Sequence, residues 1–349
     1  MLYFNCDYTE GAHPAILEKL SETNLEQTVG YGEDSYCEKA RELIRQECGR
    51  DDLDVHFLVG GTQTNFTVIR AALRSHQGVL SPVSGHINGH ETGAVEATGH
   101  KVLPLPCGPE GKLTAQQVEQ AVKAHWSDEA REHLVQPKMV YISHPTENGS
   151  LYSLAELEEL SRTCRELGLY LFLDGARLGY GLTARGSDVS MEDLARLCDV
   201  FYIGGTKCGA LFGEAVVIAN PELKTDFRYA IKQNGGMLAK GRLLGLQFVT
   251  LFEDGLYYDI CRGANELAYR IAGACREAGF SFFAPSPTNQ QFPIFPNRLL
   301  NRLREKYAVS IWAKADEENT AIRLCTSWAT REEAVDQLIA DIQELGKEL

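Results

Sequence analysis

The chain has 349 residues, 44% hydrophobic and 23% charged, the proportions of an ordinary soluble globular protein with length for about two domains. A formal net charge of -14 argues against a nucleic-acid partner, because phosphate backbones are met by basic faces. No apolar run reaches the ~20 residues of a membrane helix, and Met1-Leu2-Tyr3-Phe4-Asn5-Cys6-Asp7 shows no signal-peptide pattern, so a cytoplasmic chain without a membrane partner is expected.

In chain order, Ser35-x-x-Glu38, Thr114-x-x-Gln117 and Ser153-x-x-Glu156 read as capping boxes that open helices. Strand-like runs fall near 55–59, 78–83, 101–105, 138–143, 169–174, 200–203 and 215–219, with helical patterns between most of them. Such alternation predicts an α/β fold, a mainly parallel seven-stranded sheet covered on both faces. From about residue 255 the texture changes. A long helical pattern at 257–278, a strand-like Phe280-Ser281-Phe282-Phe283, a helix near 297–306, strands near 309–313 and 321–325, and a helix from 331 predict a smaller α+β domain. The expected division is 1–30 as a segment packed on the small domain or a partner subunit, 31–254 as the large domain and 255–349 as the small one.

Two of the strands end in charge. Tyr170-Leu171-Phe172-Leu173-Asp174 runs into Gly175-Ala176-Arg177, and Val200-Phe201-Tyr202-Ile203 runs into Gly204-Gly205-Thr206-Lys207. Ligands of open α/β sheets bind beyond the carboxyl ends of the strands, so Asp174, Arg177 and Lys207 are expected to converge. A buried lysine loses its proton readily and can attack a carbonyl carbon. An acid, a lysine and a glycine turn together suggest pyridoxal 5'-phosphate (PLP), which needs an imine-forming lysine and an acid beside its ring nitrogen. Read singly, Lys207 is also compatible with a snorkelling strand-end lysine, and Asp174 with an ion pair to Arg177. Gly60-Gly61-Thr62, between a strand and a helix, can offer free N–H groups to a phosphate or serve as turn and cap. No dinucleotide fingerprint or P-loop is present. Arg177 and Arg323 can each grip a carboxylate with two parallel hydrogen bonds. His86 can stack on a planar ring or move a proton. His86, His90 and His100 lack metalloprotease spacing, and no metal is expected. Ten cysteines without a Cys-x-x-Cys pair read as reduced thiols in a core.

The ordered set Asp7, Tyr31-Gly32-Glu33-Asp34, Gly61-Thr62-Gln63-Thr64-Asn65, His86 before Glu91-Thr92-Gly93, Asp174-Gly175-Ala176-Arg177, Thr206-Lys207 and Arg323 resembles the threonine aldolase family, within fold-type-I (aspartate-aminotransferase-like) PLP enzymes. The resemblance spans nearly the whole chain. It implies PLP on Lys207, Asp174 at the pyridine nitrogen, His86 over the ring, and Gly61, Thr62 and Thr206 on the phosphate. It implies Arg177 and Arg323 on the substrate carboxylate. It also implies a homodimer or homotetramer in which Tyr31 borders a neighbour's site and Lys240 reaches a neighbour's phosphate. Cys6 stands where many members have a carboxylate-binding serine, and Glu147 where one subgroup has a second histidine. The implied reaction is retro-aldol cleavage of a β-hydroxy-α-amino acid to glycine and an aldehyde, with Glu147, His86 or a held water as base. The alternatives are β-elimination or amino transfer on the same frame, or a non-catalytic PLP-binding protein.

Overall fold

The computed structural model of the chain describes residues 1–348. It opens with β1 (Leu2–Tyr3), followed by helices Pro14–Glu22 and Ser35–Glu47. The main sheet comprises β2 (Asp54–Leu58), β3 (Gln77–Pro82), β4 (Lys101–Leu105), β5 (Gln136–Ser143), β6 (Tyr170–Asp174), β7 (Val200–Gly204) and β8 (Glu214–Ile218). Their spatial order is β2-β8-β7-β6-β5-β3-β4. Only β8 runs antiparallel to its neighbours. The seven expected strands are therefore present within two residues of their expected ends.

These strands read as continuous apolar runs because both faces of the sheet are covered. Ile142, Leu171, Leu173 and Ile203 pack into one core, and Tyr141, Phe172 and Tyr202, the alternate residues, into the other. The antiparallel sense of β8 matters for the site. It brings the start of β8 to the sheet edge where the other strands end, with Glu214 paired to both Leu58 and Gly204.

The helices mostly begin where their caps predict. Thr114 and Ser153 each close a reciprocal capping box with the residue three positions on. The expected box at Ser35 is displaced by one residue. Asp34 is the cap, its Oδ1 accepting from the Cys37 N–H at 2.9 Å, and Ser35 is the first helical residue. A carboxylate caps a helix as well as a hydroxyl does, so both readings fit the letters.

Beyond helix Leu256–Glu277 come β9 (Gln290–Gln291), β10 (Ile294–Pro296), helix Asn297–Lys306, β11 (Tyr307–Ala308), β12 (Ser310–Lys314), β13 (Asn319–Cys325) and helix Glu332–Gly346. β10, β13 and β12 form an antiparallel sheet, and β1 pairs with β11. The expected strand at Phe280–Phe283 does not form. Only an isolated bridge joins Phe282 to Pro293, while Phe280 is buried against Phe295 with ring centroids 4.1 Å apart. Among the described residues no helix is long and apolar enough to cross a membrane.

Candidate active site

A cleft of about 600 Å³ opens where β2, β5, β6 and β7 end, and the small sheet closes its far side. Its walls include Gly61, Thr62, His86, Glu147, Asp174, Arg177, Thr206, Lys207 and Arg323, so the fold brings these expected residues together.

Asp174 ends β6 with four donors on its carboxylate. Oδ2 accepts from Tyr141 Oη at 2.6 Å and Asn65 Nδ2 at 3.1 Å. Oδ1 accepts from Tyr202 Oη at 2.6 Å and the Ala176 N–H at 2.9 Å. Burial opposes the negative charge, but His86 nearby and these hydrogen bonds outweigh it, so the carboxyl lies below its ordinary pKa. The sequence alternative of an Asp174–Arg177 ion pair is not what forms. Asn65 also donates to Glu91 Oε1 at 2.8 Å, and that oxygen lies 2.7 Å from His86 Nδ1. A buried carboxylate at Nδ1 holds the Nδ1–H tautomer and leaves Nε2 as the other working nitrogen.

Lys207 follows β7 across a turn that the sheet makes tight. A Cβ on Gly204 would lie 2.3 Å from the Ala176 carbonyl oxygen, so only glycine fits there. Burial, then the Arg177 guanidinium, push the Lys207 pKa down, towards an amine free to attack a carbonyl. Opposite lies the start of helix Gly61–Ala72. Its cap, Gly60, has no side chain to satisfy the first N–H groups, and Gly60, Gly61 and Thr62 all line the cleft. An uncapped helix end facing a cleft is suited to an anion. Thr206, expected to join that anion, donates its hydroxyl to Glu214 Oε1 at 2.8 Å instead.

The two arginines are positioned by the N-terminal segment. Asp7 accepts from Arg177 Nε at 2.7 Å and Nη2 at 2.9 Å, and from Asn289 Nδ2 at 2.9 Å. Burial works against the Asp7 charge, but Arg177 and Lys207 overcome it and hold the carboxyl well below the usual range. The Asn5 carbonyl accepts from Arg323 Nη2 at 2.8 Å, and Gln290 accepts from Nη1 at 3.2 Å. Arg323 Nε is buried without a partner, and Trp312 lies beside the guanidinium. A buried donor without an acceptor suits an anionic ligand group. Arg177 also lines the cleft, with its Nε and Nη2 engaged by Asp7.

Glu147 is fixed by one oxygen. Oε1 accepts from the His86 N–H at 2.9 Å and Ser143 Oγ at 2.6 Å, while Oε2 is buried without a partner. Burial raises its pKa, which makes it a stronger proton acceptor once ionised.

Three expected residues do not reach the cleft of their own chain. Cys6 is buried between the Asn5 and Asp7 contacts and does not line it. Tyr31, at φ +63°, sits in an exposed turn with the Lys232 ammonium 4.8 Å from its ring centroid. Lys240 is exposed just before helix Arg242–Phe252. Conversely, Tyr8, Tyr141, Tyr202, Glu214 and Trp312 line or brace the site without being expected there, and Asn65 stands in a recognised motif without an expected role. Tyr141 and Tyr202 look like core aromatics in apolar strands. The available signal was their shared strand parity, which aims both hydroxyls at the carboxylate ending the strand between them.

The groups present fit PLP. An unpartnered ammonium-forming lysine, an ionised carboxylate, an uncapped helix end and an orphaned arginine Nε answer its aldehyde, ring nitrogen, phosphate and an amino-acid carboxylate in turn.

The beta-eliminating lyase family model matches residues 4–298. A low specificity L-threonine aldolase from a Pseudomonas species is 30% identical over 97% of this chain and 96% of its own. A solved threonine aldolase from Leishmania major is 43% identical, with a TM-score of 0.96 over 99% of this chain and all of that one. An aspartate aminotransferase mutant from Thermus thermophilus, 16% identical, shares the fold with a TM-score of 0.73 over 99% of this chain and 91% of its own. This α/β chain, with its aminotransferase-like sheet, belongs to the beta-eliminating lyase family, on its threonine aldolase branch.

Proposed function

We propose that the protein is a PLP-dependent aldehyde-lyase that cleaves L-threonine, L-allo-threonine or related β-hydroxy-α-amino acids to glycine and an aldehyde. The observation that carries this reading is the company Lys207 keeps: a buried, proton-shedding lysine in one cleft with Asp174, Arg177 and Arg323. PLP, when bound, supplies an electron sink for the pair left on Cα as the Cα–Cβ bond breaks. Lys207 would hold its aldehyde carbon and Asp174 its ring nitrogen. His86 would cover its face, and Gly61, Thr62 and Thr206 would bind its phosphate.

Arg177 and Arg323 grip the substrate carboxylate and so fix the direction of the Cα–Cβ bond. Glu147 Oε2 takes the β-hydroxyl proton. That loss is balanced by a proton delivered to Cα, so glycine and the aldehyde account for every substrate atom. Asp7 and the Asn5 carbonyl act through the arginines, as positioning groups. Tyr31 and Lys240 serve a neighbouring chain's site in this reading, within a homodimer or homotetramer. Residues 1–30, 31–254 and 255–349 form the segment, large domain and small domain of each subunit. Ten unpaired thiols support a cytoplasmic location.

The test is Lys207→Ala. The variant is expected to lose the yellow absorption of covalently held PLP and all glycine formation. An unchanged spectrum would overturn the assignment of Lys207.

A further inference from the structure

Glu214 has no role in the reaction above, yet it touches the cleft more intimately than some residues that do. It starts β8, is 3% exposed, and holds both residues that precede Lys207. Oε2 accepts from the Gly205 N–H at 3.0 Å and Oε1 from Thr206 Oγ at 2.8 Å. Thr206 Oγ in turn accepts from the Gly213 N–H at 3.1 Å.

This pattern has only one consistent direction while Glu214 is ionised. A hydroxyl has one hydrogen, and an ionised carboxylate can only accept. The Thr206 hydrogen therefore points at Glu214, and Thr206 has none left for a phosphate. A protonated Glu214 reverses this. Its own O–H can donate to Thr206 Oγ, and the Thr206 hydrogen is released to another acceptor. An ionised Glu214 would also repel a phosphate, which carries close to two negative charges above pH ~6.

We propose that Glu214 is a positioning residue for the cofactor phosphate: it is protonated whenever a phosphate-bearing ligand is bound, taking a proton from solvent where it was ionised beforehand, and so turns the Thr206 hydroxyl from the carboxylate to the ligand. The inference rests on the PLP reading above. The surroundings of Glu214 favour it. Burial pushes the carboxyl up to about 8, opposed in part by its Thr206 hydrogen bond and by Lys207, while Asp174 adds to the rise. Lys207, Asp174 from β6 and Tyr202 from β7 are the titratable groups that face it. β2 pairs Leu58 with it, and helix Gly61–Ala72, which packs on β8, carries no titratable residue before Arg70.

The probe is 4'-deoxypyridoxine 5'-phosphate, which has the phosphate and no aldehyde, so it forms no bond to Lys207. Calorimetry of apoprotein in buffers of different ionisation enthalpy gives the protons taken up. Glu214→Gln can accept from Gly205 and donate to Thr206, and so imitates the protonated state. In the wild type, uptake beyond that of Glu214→Gln is expected to be small at pH 6.5 and to approach one proton at pH 9.5. Affinity should fall about tenfold more per pH unit than in the variant over the upper part of that range. 4'-Deoxypyridoxine, without phosphate, should show no such difference. Should Glu214→Gln fail to fold, infrared difference spectra of the wild type at pH 9.5 should gain a protonated-carboxyl band when the phosphate probe binds. Equal uptake in wild type and variant, or no such band, overturns the proposal while leaving the PLP reading intact. Failure of the probe and of PLP itself to bind overturns both.

Discussion

Replacing Asp7 with Asn tests how the substrate arginine is held. The Asp7 side chain has no exposed surface, and that of Arg177 is 13% exposed, so solvent screens the pair little. The substitution removes the negative charge that accepts two guanidinium N–H groups at 2.7 and 2.9 Å. Taking one partner from a buried pair costs about 3–5 kcal/mol, because the other charge stays buried and unmatched. That is a large share of the 5–15 kcal/mol typical of folded proteins. The pH dependence follows from the sign of the shift. Asp7 has its folded pKa depressed, so its contribution is complete above the unfolded value near ~4 and is lost only as pH falls through the folded one. The deficit of Asp7→Asn should therefore be flat between pH 5 and 9. Urea unfolding followed by circular dichroism measures it, alongside the KM for threonine, which should rise as Arg177 loses its anchor. The double variant Asp7→Asn/Arg177→Gln should cost less than the sum of the single changes. A wild-type midpoint for Asp7→Asn, or a deficit that vanishes above neutral pH, would refute the reasoning.

Glu147→Gln should lower kcat by about 10²–10⁴-fold with little change in KM, the usual scale of a lost general base. In the wild type kcat should fall on the acid side as Glu147 gains its proton at a raised pKa, and stopped-flow pH profiles of the variant should lack that limb. Tyr202→Phe and Tyr141→Phe each remove one hydroxyl donor from the Asp174 carboxylate, worth about 1.5–3 kcal/mol for a charged acceptor. Fluorescence titration should show PLP affinity weakened by about 10- to 100-fold in each, and wild-type affinity in both would remove the tyrosines from the account.

What could be read from the letters follows the physics of each element. The sheet strands were legible because strands buried on both faces are continuously apolar, and Asp174 and Lys207 stood out because charge interrupts such a run. Phe280-Ser281-Phe282-Phe283 looked the same, but Phe280 packs against Phe295 of β10 and the segment makes only an isolated bridge, Phe282 to Pro293, rather than a ladder along its length. Asn65 and Glu91 stand in recognisable motifs, but their roles were hidden because their value is relational: one amide bridges two carboxylates that lie 26 and 109 residues further along the chain. The Thr206–Glu214 contact depends on β8 running antiparallel, for which the signal was the link from Gly204 to Glu214, too short for a parallel crossover. Cys6 followed an alignment with a serine, whereas the fold uses the backbone of its neighbour Asn5 and the side chain of Asp7.

The most direct measurement is product analysis with PLP-loaded protein and L-threonine, L-allo-threonine and phenylserine. Glycine and the matching aldehyde in equal amounts from at least one of them is the predicted result. A keto acid with ammonia, an amino donor consumed in transfer, or no glycine from any of the three would contradict retro-aldol cleavage.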